Sequence, residues 1–395
     1  MFSKKLLLIE PYTALPQTSG GRTRIFHTIN ELKKYLNVTV WSFFANHQEL
    51  SLEESWLKKI GIPYQHFTAQ KKQFFSFLLT GQPYWFSDWW NKDLIKTLNK
   101  QKNKFDTIQV EFSQLLYLAK YLPKNKYKVF VAHDIASISF YRRLKSEKNL
   151  IKKIVHFWRF LEIYLYEHRY LPLFDLIVAM SETDKVNLKK SFHLKNVVVI
   201  KNGISEINFL PTQKKDKLIN LGLIGSFTHP PNLEAFRFCC EQILPILEKN
   251  QIAFKFYLAG ENNNELIETI ASKFLKYPER VINLGFVDEV KNFYQRIDLL
   301  VAPLFAGSGT RIKILESLSF GKPVLTTKIG TEGIEIVSPF LQIIPKGKEV
   351  DADAWLQIIL DIFNFKINKS NQNNLAGELS ELTWSSVMKK TLSLF

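Results

Sequence analysis

The stretch Asp298 to Ile334, DLLVAPLFAGSGTRIKILESLSFGKPVLTTKIGTEGI, reads as strand, glycine loop, helix and strand without a break. The apolar run Leu299 to Leu304 has the length and branching of a buried strand. Gly307, Ser308 and Gly309 let the backbone turn tightly, and Thr310 is placed to cap a helix that runs to about Phe320 before Gly321 ends it. A helix start behind a glycine-rich turn presents unpaired N–H groups and the positive end of the helix dipole, a setting for a diphosphate. Arg311 adds charge in the first turn. Helical spacing puts Lys313, Glu316 and Ser317 on one face and turns Ile312, Leu315, Leu318 and Ser319 toward a sheet. A carboxylate two turns into the helix suits hydroxyl groups such as those of a ribose. The same spacing also fits a plain surface ion pair between Glu316 and Lys313.

On either side of this unit the chain alternates strands and helices. Strands are predicted at Lys5 to Ile9, Val38 to Phe43, Thr107 to Val110, Val129 to Ala132, Leu176 to Ala179 and Val197 to Ile200. A second series follows at Leu218 to Ile224, Phe254 to Leu258, Val281 to Leu284, Leu299 to Leu304 and Pro323 to Thr327. The alternation implies two parallel sheets with helices on both faces, and the polar segment Pro211 to Asp216 reads as the linker. With 395 residues, 46% of them hydrophobic, the chain has enough material for two cores. Cys239 and Cys240 are its only cysteines and adjoin in a helical pattern, so no disulfide framework is expected and a reducing compartment fits. The apolar run after Lys4 and Lys5 ends at Glu10 and reads as a first strand, not a leader. No run approaches the ~18 apolar residues of a membrane span.

Charge is unevenly divided. Residues 1–207 hold 32 Lys and Arg against 17 Asp and Glu, a net of +15, out of +16 for the whole chain. A field of that size on one half implies a large anionic partner, either a membrane surface or an acidic acceptor. Arg142, Arg143, Lys145, Lys148, Lys152, Lys153 and Arg159 lead into the aromatic run His156 to Tyr170. That run fits an interfacial helix, and equally a core helix with a solvated basic face. The aromatic cluster Phe74 to Trp90 carries the same two readings.

The central stretch resembles the donor-binding signature of the family-4 retaining glycosyltransferases, in the subgroup with a GSGTR-x-K-x-LE core followed by G-K-P-V and G-x-E-G. Further matching segments occur in order. They are Gly20-Gly21-Arg22, Ala132-His133-Asp134, Val178 to Glu182, Lys201-Asn202-Gly203, Gly225 with Pro231-Asn232, Leu258-Ala259-Gly260 and Leu284 to Val287. Two departures stand out: the family's frequent first glutamate falls on Ser308, and the Arg and Lys often found soon after Gly225 are missing, with Arg311 and Lys313 as substitutes. The resemblance implies an α/β GT-B architecture of two Rossmann-like domains facing each other across a cleft. Residues 1–207 would be the acceptor-binding domain, 208–378 the nucleotide-sugar domain, and 379–395 a helix, entered at Trp384, that crosses back to the first domain.

It also implies roles. Gly20, Gly21, Gly225, Gly285, Phe286, Val287, Ser308, Gly309, Thr310 and Glu316 would bind the donor, with Glu316 on the ribose and Gly285 to Val287 beside the base. Arg311 and Lys313 would neutralise the leaving diphosphate. His133 would position the donor sugar, with Asp134 fixing its ring or loop. Arg22, Asp134 and Glu182 would lie on the acceptor side, although Glu182 fits a helix cap as well. Asn202-Gly203 fits a plain turn. No metal or other cofactor is expected. Asp351-Ala352-Asp353 spells a D-x-D but lacks a preceding apolar strand, and reads as the acidic first turn of a helix. The expected function is a retaining, metal-independent transfer of a sugar from a nucleotide diphosphate to a glycan or lipid-linked acceptor, in envelope or exopolysaccharide assembly. The expected location is cytoplasmic, peripheral on the inner membrane face. A sugar-nucleotide epimerase of the same architecture is the nearest alternative. A nucleic-acid-binding protein is a remote one, because no nucleic-acid-binding signature accompanies the charge.

Overall fold

The computed structural model describes residues 4–70, 81–147, 149–210, 218–307, 309–364 and 369–394. The chain forms two compact units. One comprises Met1–Gln17, Gly21–Asn202 and Val387–Phe395, and the other Thr18–Gly20 and Gly203–Ser386.

The first unit is built on seven strands: β1 (Lys5–Glu10), β2 (Asn37–Phe44), β3 (Tyr64–Thr68), β4 (Thr107–Glu111), β5 (Tyr127–Ala132), β6 (Leu176–Ala179) and β7 (Val197–Val199). Their order is β3-β2-β1-β4-β5-β6-β7, and every pairing is parallel. Alternate residues of the strands feed two separate cores, as the two-residue period requires. Leu7, Ile9, Val110, Phe130 and Ile177 face one set of helices. Leu6, Leu8, Val38 and Val40 face the other, which includes Ile25, Ile29 and Leu32 of the Gly20–Leu32 helix. The chain winds outward from β1 to β3 and then returns to β4, so the strand order reverses between β1 and β4. Such a reversal opens a crevice beyond the carboxyl ends of the strands, where ligands bind.

The second unit repeats the plan with β8 (Ile219–Ile224), β9 (Phe254–Ala259), β10 (Val281–Asn283), β11 (Leu299–Ala302), β12 (Val324–Thr326) and β13 (Leu341–Ile343). The order is β10-β9-β8-β11-β12-β13, again parallel, with the reversal between β8 and β11. Both sheets are Rossmann-like.

Two strands escape the sequence reading. β3, YQHFT, has no apolar run because it is an edge strand, and β13 has only three residues at the opposite kind of edge. Pro211 to Asp216 and the Phe74 to Thr80 part of the aromatic cluster lie outside the described residues. In the rest of that cluster Phe86 is buried, while Trp85, Trp89 and Trp90 pack half-buried against the core. The cysteine thiols are free and buried in a π-helical turn, Cys239–Ile243. Gly203 is more than a turn residue, since a side chain there would meet the Trp384 ring at 2.7 Å. Ile204 and Thr383 form a parallel bridge beside it. Past Trp384 the last helix, Trp384–Leu392, enters the first unit at Val387, and Leu392 packs with the Leu6 and Leu8 face.

Candidate functional site

The carboxyl edge of the second sheet is formed by backbone in close approach. Gly225 follows β8 with φ 147°, and a Cβ there would lie 2.7 Å from both Asn232 Nδ2 and Lys313 Nζ. Gly260 follows β9 with φ 125°, and its Cβ would sit 2.2 Å from the Gly225 carbonyl oxygen. Its N–H donates to the Gly285 carbonyl at 2.7 Å. Only glycine permits both the dihedral and the spacing at these two positions. Lys313 Nζ donates to Asn232 Oδ1 at 2.7 Å, and Asn232 Nδ2 donates to the Ser226 carbonyl at 2.8 Å. The amine is thereby held over the Gly225 turn. Next along the edge, Phe286 leaves its ring exposed and Val287 packs inward.

The helix behind the glycine loop begins later than its sequence suggests. It spans Ile312–Ser319, and the residue before it, Arg311, is extended and gives no side-chain cap. Thr310 is therefore one residue too early to cap the helix. Its hydroxyl is instead buried without a hydrogen-bond partner. The Arg311 guanidinium donates back to the Gly309 carbonyl and lies against Gly307, where a Cβ would come 3.0 Å from Nη2. Ser308 lies outside the described residues.

Ser317 does not share the open face. It is buried, and its Oγ donates to the Lys322 carbonyl at 3.1 Å. The reason is tertiary: the helix Lys369–Ser380 covers this side, with Leu375 and Leu379 in the same core as Ile314, Leu315 and Leu318. The open face is reduced to Lys313 and Glu316. Burial lowers the Lys313 amine to about 7, with Arg311 beside it adding to the fall and Glu316 opposing it. Burial likewise raises the Glu316 carboxyl to about 7 against the pull of Lys313 and of a hydrogen bond with Tyr294. The Tyr294 hydroxyl also donates to the Lys313 carbonyl at 3.0 Å. The two groups are desolvated and act on each other through charge, with Asn232 on the amine and Tyr294 on the carboxyl, an arrangement suited to taking up a charged ligand.

The first unit places a second polar group where its strand order reverses. β1 and β4 both end in carboxylates, Glu10 and Glu111, and both side chains are buried. The carboxylate on the His133 ring is Glu111, a residue the sequence reading did not single out; Asp134 had been expected to fix the ring or its loop. The Phe112 ring stacks on the imidazole at 3.6 Å between centroids, with its own backbone at φ 66°. Gln109 Nε2 donates to the other Glu111 oxygen at 2.6 Å. Burial would raise the Glu111 carboxyl, but the hydrogen bond and charge of His133, with Arg24 and Gln109, bring it below its usual range. Burial lowers the His133 imidazole more than Glu111 raises it. The pair is then carboxylate and neutral imidazole, with Nε2–H donating to Glu111 and the lone pair on Nδ1. Burial and the neighbouring Glu111 and Glu53 raise the Glu10 carboxyl well above its usual range, and neither of its oxygens has a hydrogen-bond partner.

The other expected residues make the following contacts within the fold. Gly20 and Gly21 open the Gly20–Leu32 helix. A Cβ on Gly21 would strike the Tyr12 hydroxyl at 2.6 Å and the Phe112 ring at 2.7 Å. Arg22 pairs with Glu49 at 2.9 Å and donates to Thr13 Oγ1 at 2.8 Å, bracing the turn after β1. Asp134 acts on the Tyr12 hydroxyl through its charge. The cap of the Glu182–Phe192 helix is Ser181, whose Oγ accepts from the Asp184 N–H at 3.0 Å. Glu182 itself is exposed and pairs with Lys185 at 3.1 Å. Asp351 Oδ1 accepts from the Asp353 N–H at 3.1 Å, so the D-x-D motif starts the Ala352–Asn364 helix. Among the described residues no three His, Cys, Asp or Glu side chains gather as metal ligands.

Residues 219–362 match the family described as Glycosyl transferases group 1. The second unit therefore carries a glycosyl transferases group 1 domain. A curated relative, an uncharacterized 44.6 kDa protein in the cps region of Klebsiella pneumoniae, is 22% identical over 242 residues, covering 59% of this chain and 60% of its own length. The crystal structure of a glycosyltransferase from Rickettsia africae superposes with a TM-score of 0.66 at 14% identity, covering 100% of this chain and 98% of that one. Anabaena Alr3699/HepE, solved in complex with UDP and glucose, superposes at 0.63 with 16% identity and 100% coverage of both chains. The architecture is GT-B.

The glycosyl transferases group 1 domain brings together Gly225, Gly285, Gly309, Arg311, Lys313 and Glu316, all legible in its sequence. Tyr294, under the helix, is not. In the first unit, the signal for Glu111 and Glu10 lay in the sequence as a carboxylate ending each of two apolar strands, IQVE and LLIE. Their meaning depends on strand order, which places β1 beside β4.

Proposed function

We propose that the protein is a retaining, metal-independent glycosyltransferase that moves a sugar from a nucleotide diphosphate to a glycan or lipid-linked acceptor in capsule or exopolysaccharide assembly. The observation that carries this reading is the Lys313 amine held by Asn232 over the Gly225 turn, beside Arg311 and the glycine loop. A desolvated cation in that position becomes fully charged as an anion arrives and stabilises charge developing on the leaving diphosphate. Glu316 would accept from the ribose hydroxyls, the exposed Phe286 ring would lie beside the base, and the buried Thr310 hydroxyl would find a partner among the phosphate oxygens. In the first unit the His133 Nδ1 lone pair would accept from a sugar hydroxyl, with Glu111 as the positioning residue. The capsule assignment is supported by the relative from a cps region. The first unit's excess of cations supports an anionic acceptor or surface at the inner membrane face.

The test is a panel of nucleotide sugars incubated with the protein and membrane or capsule extracts, with release of free nucleotide and labelled product followed together. Acceptor-dependent release is expected, and Glu316→Ala should lower it roughly 10²-fold while leaving the fold intact. Conversion of one nucleotide sugar into another without any acceptor would favour an epimerase and end this reading.

A further inference from the structure

At the carboxyl ends of β9 and β10 the side chains of Asn262, Asn264 and Asn283 close on one another. Asn262 Nδ2 donates to the Gly260 carbonyl at 2.8 Å and to Asn283 Oδ1 at 2.9 Å. Asn283 Nδ2 donates to Asn262 Oδ1 and to Asn264 Oδ1, both at 2.9 Å. Asn283 Oδ1 also accepts from the Gly285 N–H at 3.1 Å. The backbone fixes which end of each amide is oxygen, because the Gly260 carbonyl needs a donor and the Gly285 N–H an acceptor. Asn283 is then saturated, with both of its N–H bonds and both acceptor positions on its oxygen in use. The pair clamps Gly285 to Gly260. The Gly285 N–H goes to Asn283 and its carbonyl accepts from the Gly260 N–H at 2.7 Å, so both of its main-chain groups are committed within the fold. The other side of the turn is open. Gly285 adopts φ 66°, and a Cβ there would meet nothing within 4 Å. Phe286 follows with its ring exposed, and its main-chain N–H and C=O make no hydrogen bond among the described residues. A turn pinned behind and open in front presents one donor and one acceptor at a fixed spacing, which the hydrogen-bonding edge of a nucleobase can match.

We propose that Asn262 and Asn283 are positioning residues for base recognition: their amide pair holds Gly285 to Gly260 and so aims the Phe286 N–H and C=O at the edge of the base. Both asparagines act through the main chain, without touching the ligand. The inference rests on the transferase reading above and adds the side chains that set its selectivity for a base. Gly260 also abuts Gly225, over which Lys313 is held, so the group that reads the base and the cation for the diphosphate are tied to one backbone frame.

Calorimetry of the full-length protein with UDP, dTDP, CDP, GDP and ADP identifies the tightest nucleotide. That nucleotide is then compared with its analogue methylated on the ring nitrogen of the pairing edge, N3 of a pyrimidine or N1 of a purine. Wild type is expected to bind the parent about tenfold tighter or more than the methylated analogue, because the analogue leaves a main-chain group unpaired. Asn283→Ala and Asn262→Ala should each lower affinity for the parent about tenfold and bring the two ligands within about threefold of each other. A general loss of stability would lower both affinities alike and leave their ratio intact, so the ratio separates positioning from support of the fold. Wild type that binds parent and methylated analogue equally overturns the proposal without the need for any variant. Folded variants that keep the wild-type ratio overturn it too. In both cases nucleotide binding persists and the transferase reading stands, whereas wild type that binds none of the nucleotides ends both.

Discussion

A histidine whose one nitrogen is committed to a buried carboxylate has a single nitrogen left to act with, and the carboxylate chooses its protonation. If Glu111 positions His133 in this way, Glu111→Ala should lower turnover roughly 10²-fold while affinity for the nucleotide diphosphate stays within about twofold. Glu111→Gln should recover part of the loss, because an amide oxygen can accept the same Nε2–H. An equal loss of nucleotide binding in these variants, measured by calorimetry, would assign Glu111 to the fold alone. Lys313 permits a second prediction with a definite sign. Its folded value is about 7, below the usual lysine range, and a diphosphate favours the charged form. Affinity for the nucleotide diphosphate should therefore be highest below pH 7 and fall up to about tenfold per pH unit above it, with proton uptake on binding. The same depression makes the unfolded chain the better proton binder above pH 7, so this group's contribution to stability rises with pH there. Lys313→Met should flatten the fall in affinity; a wild-type affinity independent of pH from 7 to 9 would show that the amine does not meet the phosphates.

Among the elements, the glycine edge of the second sheet is the least tolerant of change. Gly260→Ala would place a methyl group 2.2 Å from the Gly225 carbonyl oxygen at φ 125°, where nothing but the backbone can move. A loss of several kcal/mol, on the order of 3 or more, is expected in chemical denaturation. Gly225→Ala meets instead the ends of Lys313 and Asn232, which are side chains and can yield. That variant still carries the strain of φ 147°, so it should lose stability, though less than Gly260→Ala, and lose binding of the nucleotide diphosphate, a contrast readable by thermal shift with and without the nucleotide. The helix at Ile312 shows how an element limits its own reading. Its spacing identified Lys313 and Glu316, but the burial of Ser317 and Ile314 came from the Lys369–Ser380 helix, and periodicity in one helix says nothing about a neighbour that covers a second side.

At the scale of the whole molecule, Trp384 closes the second unit just before the chain enters the first. The ring is buried against Gly203, and the backbone N–H of Trp384 donates to the Ile204 carbonyl at 2.9 Å. Trp384→Ala should cost about 3–5 kcal/mol, as large-to-small changes of a buried tryptophan do. The loss should appear as a lower midpoint in urea with the nucleotide-dependent shift still present; an unchanged midpoint would show that the closing segment is not cooperative with the core.

The sequence by itself determined what depends on neighbours within one turn or one strand. Apolar runs of four to six residues bounded by turn residues located nearly every central strand, and the alternation with helices required parallel sheets. Gly307 and Gly309 ahead of a helix located the glycine turn before Ile312–Ser319, because turn glycines and a helix start are local properties. The tertiary structure alone decided which distant residues meet. Glu111 became the partner of His133 because β4 pairs with β5, Glu10 came beside Glu111 because the chain returns past β1, and Tyr294 reached Lys313 because its helix packs under another. It also decided which face of Leu150–Tyr170 turns outward: spacing defines an apolar stripe, but only packing says whether that stripe meets the core or the solvent.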